Sequence, residues 1–238
     1  MSGSDSNAAR AYLETPLPGG DVGWREATFT VLDFETTGLD HDSHEIISFA
    51  TVTVSEGRVS LADARHALVR PQRMPDAESI RIHGLRESDL TDAAPLAEQL
   101  DILLEALTGR VIVAHVAAVE RGFLGAALAE RGLEVRNPFV DTALLDRELR
   151  RLRQGPAAEH EPIGLSAMAR ELGLPVHRPH HADGDALTTA QAFIALAAHL
   201  DEFDPQTVGS LKRISRPEPR GPSLRGLLRR IGLGGRDA

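Results

Sequence analysis

The sequence predicts an α/β protein built on a mixed sheet with helices packed against it. Its first part contains three successive segments rich in β-branched residues and joined by short connections, which is typical of an antiparallel meander. From about residue 92 onward, short apolar segments alternate with amphipathic helical patterns, which indicates βα units. A chain of 238 residues is also long enough to bury a complete core.

The three predicted strands of the meander follow directly from this pattern. Residues 28–33 alternate in polarity and predict the first strand, and residues 46–54 predict the second. Glu56 and Gly57 provide a tight turn, after which residues 58–70 predict a third strand. We therefore expect these three strands to pair antiparallel.

The α/β part begins with a helix that starts near Asp92 and carries Pro95 in its first turn. Leucines repeat at helical spacing as far as Leu107, and Gly109 ends the helix. Residues 111–114 are uniformly apolar, which predicts a strand in the centre of the sheet. The rest of the pattern predicts helices over residues 119–131, 143–153, 165–172 and 184–200, a strand over 139–141 and a loop over 155–164.

The ends of the chain differ in composition from the part between them. Residues 1–23 are rich in Ser, Gly, Pro and Asp without an apolar period, and we expect them to be disordered. Residues 24–200 are expected to form the folded domain, and residues 201–238 a basic tail. The chain has a formal charge of −9, and its last 34 residues carry a net charge of +6. Because the body is acidic, any binding to nucleic acid must be local or mediated by metal ions.

The composition excludes several classes of site. The chain contains no Cys, which excludes disulfide scaffolds, thiolate zinc sites, iron–sulfur clusters and thiol nucleophiles. Its single lysine, Lys212, lies near the end, so a phosphate-binding loop of the Gly-Lys-Ser/Thr type is absent. No run of 18 apolar residues and no signal-peptide-like stretch occurs, so we expect a cytoplasmic protein without membrane contact.

Two acidic residues stand at the end of the first predicted strand. The strand period of two places Asp33 and Glu35 on the same face, and Thr36-Thr37-Gly38 follows them. Two adjacent carboxylates repel each other unless a cation lies between them, and oxygen ligands without Cys favour Mg²⁺ or Mn²⁺. The alternative interpretation is a turn with two solvated acids.

A second acidic segment precedes the last predicted helix. His180 and His181 stand before the helix, and Asp183 and Asp185 lie in its first turns. The alternative interpretation is that these acids only complement the helix dipole. A zinc site formed by His177, His180 and His181 is a further alternative.

A third segment carries an acid at the start of a helix that follows a strand. Residues 111–114 lead through His115 and a short turn into the helix, with Glu120 in its first turn. Taken alone, this is an ordinary βα unit with a solvated acid.

Taken together, the three segments resemble the motifs of the DEDDh 3′–5′ exonucleases, the family of the proofreading subunit of bacterial DNA polymerase III and of ribonuclease T. Asp-Phe-Glu-Thr-Thr-Gly at residues 33–38 matches the first motif, and Val-Ala-His at 113–115 with Phe-Leu at 123–124 matches the second. His180, four residues before Asp185, matches the third. Ile-His-Gly at 82–84 and Val-Asp-Thr at 140–142 are weaker similarities.

The second motif departs from the family pattern. Val116 stands where Asn is usual, Val119 where Phe is usual, and Glu120 where Asp is usual. Glu120 keeps a carboxylate but adds a methylene, which changes its reach towards a metal ion. We expect Glu120 to be a working replacement for the family's Asp.

The resemblance implies a ribonuclease H-like fold, with a five-stranded mixed sheet flanked by helices. It also implies that nucleoside 5′-monophosphates are released from a nucleic-acid 3′ end with the help of two ions of Mg²⁺ or Mn²⁺. Asp33, Glu35, Glu120 and Asp185 would bind the metal ions, and His180 would act as the general base. The residues implied to seat the terminal nucleotide are Phe34, Thr36, Thr37, Gly38 and His83.

The implied substrate is a nucleic acid with a free 3′ end, and DNA is favoured over RNA. An exonuclease acting on RNA 3′ ends is one alternative. A proofreading subunit whose basic tail binds a polymerase is another. A nucleic-acid-binding module without catalysis would follow only if Glu120 disables the site.

Overall fold

The computed structural model describes residues 6–155 and 163–216, which form a five-stranded sheet in the order β3-β2-β1-β4-β5. The strands are β1 (Phe29–Thr36), β2 (Ile46–Ser55), β3 (Arg58–Leu68), β4 (Val111–Ala114) and β5 (Phe139–Asp141). β1, β2 and β3 pair antiparallel, whereas β4 pairs parallel with both β1 and β5. The predicted mixed sheet is therefore confirmed.

The chemistry of individual residues explains these pairings. Glu56 and Gly57 have φ angles of 52° and 67°, the left-handed conformation that a two-residue hairpin between β2 and β3 requires. The four residues of β4 are all buried, as expected for a parallel strand covered on both faces.

The helices within the described residues include several that the sequence pattern does not predict. α2 and α3 contain seven and four residues, which is too short for a helical period to be recognised. The helices are α1 (Asn7–Glu14), α2 (Ala77–His83), α3 (Glu87–Leu90), α4 (Leu96–Leu107), α5 (Ala118–Ala129), α6 (Thr142–Gln154), α7 (Leu165–Glu171), α8 (Ala182–Asp201) and α9 (Val208–Ile214).

The helices divide between the two faces of the sheet, and each face has its own core. On one face, Phe29 and Val31 of β1 pack against α8, whose Phe193 ring lies 4.7 Å from that of Phe29. On the other face, Leu32 and Phe34 pack with α1, α4 and α5. No helix in the described part of the chain is both long and apolar enough to cross a bilayer.

The prediction that residues 1–23 are disordered is wrong for the described part of this segment. α1 begins after Ser6, whose hydroxyl accepts a hydrogen bond from the Ala9 N–H, and it buries Tyr12. The Tyr12 hydroxyl also accepts a hydrogen bond from the Arg136 N–H at 3.0 Å. Packing against α4 and residues 134–136, which are distant in sequence, stabilises this helix, so its own composition does not reveal it.

The predicted domain boundary at residue 200 is also too early. α9 buries Val208 and Leu211 in the same core as α8, and the Trp24 indole N–H donates to Asp201 at 2.8 Å. The body therefore extends at least through α9. Residues 217–238, which contain most of the predicted basic tail, lie outside the described residues.

Candidate active site

The end of β1 presents two carboxylates towards the face covered by α8. Asp33 and Glu35 alternate with Leu32 and Phe34, which belong to the opposite core, so the prediction that the acids share a face is confirmed. The pairing of β1 with β2 shifts register between Glu35 and Thr36, and the strand ends there. The acids thus lie where the regular sheet stops.

The start of α8 brings a third carboxylate to this point. Oxygen atoms of Asp33, Glu35 and Asp185 all lie within 4.8 Å of one another. The backbone N–H of His180 donates to Asp185 Oδ2 at 2.8 Å and orients that side chain. Gly184 permits this approach, because a Cβ at this position would lie 2.3 Å from the carbonyl oxygen of His177.

Glu120 supplies a fourth carboxylate from the first turn of α5. Its side chain is buried, and its Oε2 has no hydrogen-bond partner among the described residues. Burial raises the pKa of Glu120 well above its usual range, and the charges of Asp141 and Glu35 raise it further.

The four acids disfavour one another's ionisation. Burial raises the pKa of Asp33, and the charges of Glu35, Asp185 and Glu120 add to the effect. Burial, with the charge of Asp185, raises the pKa of Glu35 to about 8. A divalent cation would relieve this repulsion and would satisfy the unpartnered oxygen of Glu120. Because all the donors are carboxylate oxygens, the site fits a hard ion such as Mg²⁺ or Mn²⁺.

The turn that presents Glu120 is held by Asp141. This carboxylate accepts hydrogen bonds from the N–H groups of Val116 and Ala117 at 3.2 and 2.9 Å. It also accepts from the N–H of Ala143 at 2.9 Å, as the N-cap of α6. Both of its oxygens are therefore occupied by backbone donors, so Asp141 organises the turn and is not a free ligand.

Val116 adopts a left-handed conformation in this turn, with φ +61°. Asn, the usual residue at this position in the family pattern, tolerates that conformation, whereas a β-branched residue is strained in it. The bonds from Asp141 and the complete burial of Val116 hold the chain in this geometry. The departure from the family pattern is thus accommodated without loss of the turn.

His115 lines the cleft but does not belong to the group of candidate metal ligands. Its Nδ1 is hydrogen-bonded to Thr142 Oγ1 at 3.0 Å, and burial lowers its pKa to about 4. The imidazole is therefore neutral at physiological pH and links the second motif to the start of α6.

The three histidines before α8 do not form a common metal site. His180 has φ +60° and lines the cleft beside Asp185, whereas His181 Nδ1 is bonded to the His180 carbonyl oxygen. His177 Nε2 is hydrogen-bonded to Gln191 Oε1 at 3.1 Å. Within residues 6–155 and 163–216, the acidic triad is the only group of three candidate metal ligands, so the zinc alternative is wrong.

A cleft of about 710 Å³ opens over the carboxylates. Of the residues predicted to seat a nucleotide, Phe34, Thr36, Gly38 and His83 line it. Thr37 does not, because its hydroxyl accepts the Glu45 N–H at 3.0 Å and so braces the turn instead.

The polar residues of the cleft wall are held by local contacts. His83 Nδ1 accepts the Leu85 N–H at 3.0 Å, and its Nε2 lies 3.1 Å from Ser79 Oγ. At Gly38, a Cβ would lie 2.4 Å from the His44 ring, so a larger residue would displace that ring.

The comparison with known families agrees with this geometry. Residues 30–193, more than two thirds of the chain, match the exonuclease family RNase_T. The chain belongs to this exonuclease family. Membership makes it a nuclease domain, as the resemblance in its motifs predicts.

Two relatives carry a domain similar to this exonuclease chain within much longer proteins. The PolC-type DNA polymerase III of Thermotoga petrophila is 34% identical over 175 residues, which cover 73% of this chain and 12% of the relative. A DNA polymerase III subunit epsilon-like protein of Rhodobacter capsulatus is 33% identical over 204 residues, which cover 84% of this chain and 27% of the relative. The chain therefore spans about an eighth and a quarter of their lengths.

Solved structures confirm the predicted ribonuclease H-like fold of the exonuclease. Exonuclease X in complex with 5′ overhanging duplex DNA is 23% identical, with a TM-score of 0.59, over 79% of this chain and 99% of that chain. E. coli Exonuclease I in complex with a dT13 oligonucleotide is 14% identical, with a TM-score of 0.63, over 75% of this chain and 42% of that chain.

The sequence motifs do not predict one part of the lining of the exonuclease cleft. Residues 163–167, at and just before the start of α7, and Arg170 near its end form part of the cleft lining. The pattern of α7 resembles that of any short amphipathic helix, and only its packing against α8 places it at the cleft. Two arginines of α6 are paired with acids and do not line the cleft: Arg150 pairs with Asp146 and Glu171, and Arg151 pairs with Glu148.

Proposed function

We propose that this chain is a metal-dependent 3′–5′ exonuclease that releases nucleoside 5′-monophosphates, with DNA as its substrate. The observation that carries the proposal is the convergence of Asp33, Glu35, Glu120 and Asp185 at the base of a cleft that His180 borders. Membership of the exonuclease family and the similarity to DNA polymerase III proteins support both the nuclease chemistry and the choice of DNA.

The four carboxylates would hold two divalent cations, either Mg²⁺ or Mn²⁺. When bound, such ions polarise the phosphoryl oxygens and neutralise the charge that develops as a phosphodiester is hydrolysed. In this chain the triad of Asp33, Glu35 and Asp185 forms the closest group of ligands, and Glu120 approaches from α5. The mutual repulsion of these acids is the reason why they would take up a cation tightly.

His180 would accept the proton of the attacking water at a ring nitrogen. The imidazole belongs to an exposed residue on the rim of the cleft, and its backbone is tied to Asp185. This connection keeps the base close to one of the proposed ligands, as general-base catalysis requires. His181 lies outside the cleft lining and would have no such role.

The terminal nucleotide would rest on Phe34, Thr36, Gly38 and His83. The Thr36 hydroxyl donates to the Gly38 carbonyl oxygen at 2.6 Å, so this donor is already engaged and the wall offers packing more than free donors. Such a surface would seat the terminal nucleotide without reading its base. Thr37 would contribute indirectly, by bracing the turn through Glu45.

An assay on oligonucleotides labelled at the 5′ end tests this proposal. We expect single-stranded or duplex DNA to shorten from its 3′ end in Mg²⁺ or Mn²⁺, and RNA to be degraded more slowly. Asp185→Asn should abolish turnover, whereas Asp183→Asn, which changes a neighbouring acid paired with Arg178, should retain most of it. Shortening from the 5′ end, or full activity in excess chelator, would contradict the proposal.

The same assay separates the alternatives. Faster degradation of RNA than of DNA would favour an RNA 3′-end exonuclease. Binding of DNA without any cleavage in either metal would favour a non-catalytic module. A polymerase partner bound through residues 201–238 stays a prediction, to be tested by co-purification of a polymerase with the full chain but not with a chain that ends at residue 216.

A further inference from the structure

Acidic residues outnumber arginine and lysine in the lining of the cleft. Four carboxylates lie at its base, and among the described residues that line it, Arg170 is the only arginine or lysine. Arg170 is near the end of α7, lines the cleft and is exposed. A cation in this position faces the volume that a nucleic-acid strand would occupy.

Arg170 is also free of acidic partners in the part of the chain that the structure describes. Its neighbour Glu171 is bound by Arg150 at 2.6 Å, so it does not neutralise Arg170. Asp183, across the loop before α8, pairs with Arg178 at 3.0 Å. Glu171 and Asp183 are therefore engaged with other arginines, and within residues 6–155 and 163–216 no acid pairs with Arg170, so its guanidinium is available for an external anion.

Ser166 adds a second donor on the same side of α7. It precedes Arg170 by four residues, and positions four apart share one face of a helix. Both residues line the cleft. A guanidinium and a hydroxyl presented side by side are suited to a phosphate, since arginine donates two parallel hydrogen bonds to its oxygens.

The proposed reaction creates a need for such a subsite. The carboxylates and their cations would act on the scissile phosphate, but the other phosphates of the strand must approach a chain with a net charge of −9. We propose that Arg170 and Ser166 form a subsite for a non-scissile backbone phosphate of the substrate strand. This inference rests on the proposed exonuclease function and extends it to the positioning of the strand.

Steady-state kinetics of Arg170→Ala on single-stranded DNA provide the first test. We expect KM to rise by about tenfold to a hundredfold, the range for loss of a hydrogen bond to a charged group, with kcat unchanged. The salt dependence of KM should also become shallower, by about 0.7 in the log–log slope for one lost phosphate contact. Arg170→Lys should recover only part of the loss, and Ser166→Ala should cost less than Arg170→Ala.

Arg58→Ala is the matched control, because Arg58 is an exposed arginine on β3 that does not line the cleft. It removes the same charge and should leave KM and its salt dependence unchanged. Equal effects of Arg170→Ala and Arg58→Ala would overturn the inference. A fall in kcat without a change in KM would also overturn it.

Substrates with a single uncharged methylphosphonate locate the contact. For the wild-type protein, a methylphosphonate at one non-scissile position should raise KM. For Arg170→Ala, a methylphosphonate at the same position should leave KM unchanged. The same positional profile in both proteins would contradict the subsite. Absence of degradation by the wild-type protein would instead contradict the proposed function, so the two failures are distinguishable.

Discussion

Replacing Glu35 by Gln should stabilise the metal-free protein while abolishing its nuclease activity. Glu35 is buried beside Asp185, and its pKa is raised from 4.5 to about 8. In metal-free solution the folded protein therefore retains a proton that the unfolded chain releases. This difference lowers the free energy of unfolding as the pH rises from about 4.5 to about 8, and Gln, which does not ionise, removes it.

The size of the effect follows from the two pKa values. Neutral pH lies 2.5 pH units above the ordinary value of 4.5, and each unit corresponds to about 1.4 kcal/mol. Glu35→Gln should therefore raise the free energy of unfolding by about 3 kcal/mol at pH 7. In a chain of this size that corresponds to a rise in Tm of about 6–12 °C. At pH 5.5 the gain should be less than half as large, because this pH is only one unit above the ordinary pKa of 4.5.

Thermal and urea unfolding of the full chain in excess chelator, between pH 5.5 and 8, measure this gain. Glu105→Gln is the control, since Glu105 is an exposed residue of α4, and its replacement should change stability by less than about 0.5 kcal/mol at every pH. Addition of Mn²⁺ should raise the Tm of the wild-type protein more than that of Glu35→Gln. A Glu35→Gln protein that is less stable than wild type at pH 7, or a gain in stability that does not grow with pH, would contradict this prediction.

Three further changes test the geometry of the site. Gly184→Ala should cost about 1–3 kcal/mol of stability, because its Cβ would overlap the His177 carbonyl oxygen, whereas Gly125→Ala, in an open position of α5, should stabilise the protein in urea unfolding. His180→Ala should lower the exonuclease rate by about 10²–10⁴-fold and His181→Ala far less; the reverse order would assign the base to the wrong histidine. Glu120→Ala should lower the rate by at least about 100-fold, and Glu120→Asp should not raise it; a near-wild-type rate for Glu120→Ala would show that this carboxylate is idle.

Local patterns in the sequence are sufficient to predict the sheet and the acids at its centre. β-Branched segments and the Glu56-Gly57 turn define an antiparallel meander, because each depends on residues close in the chain. The strand period of two placed Asp33 and Glu35 on one face, and the spacing of His180 and Asp185 related the last helix to the same motif set. These properties are local, so the order of residue types is sufficient to predict them.

Which polar side chains are available and which are already engaged becomes evident only in the folded protein. The arginines of α6 look suited to binding a strand, but Arg150 and Arg151 are paired with acids, while Arg170 of the plainer helix α7 faces the cleft. Likewise Thr37, next to Thr36 in the first motif, turns away from the cleft to Glu45. Which partner a long polar side chain meets depends on elements far apart in sequence, and this information is absent from a local pattern.

The helices at the two ends of the domain and the raised pKa values of the site acids both depend on tertiary contacts. α1 and α9 contain only eight and seven residues and are stabilised by contacts made across the fold, such as Tyr12 with Arg136. The raised pKa values of Asp33 and Glu35 arise because β1 and α8 bury these acids together with Asp185. Motif spacing identifies the acids, but their repulsion, and hence their demand for a cation, exists only once the chain is folded.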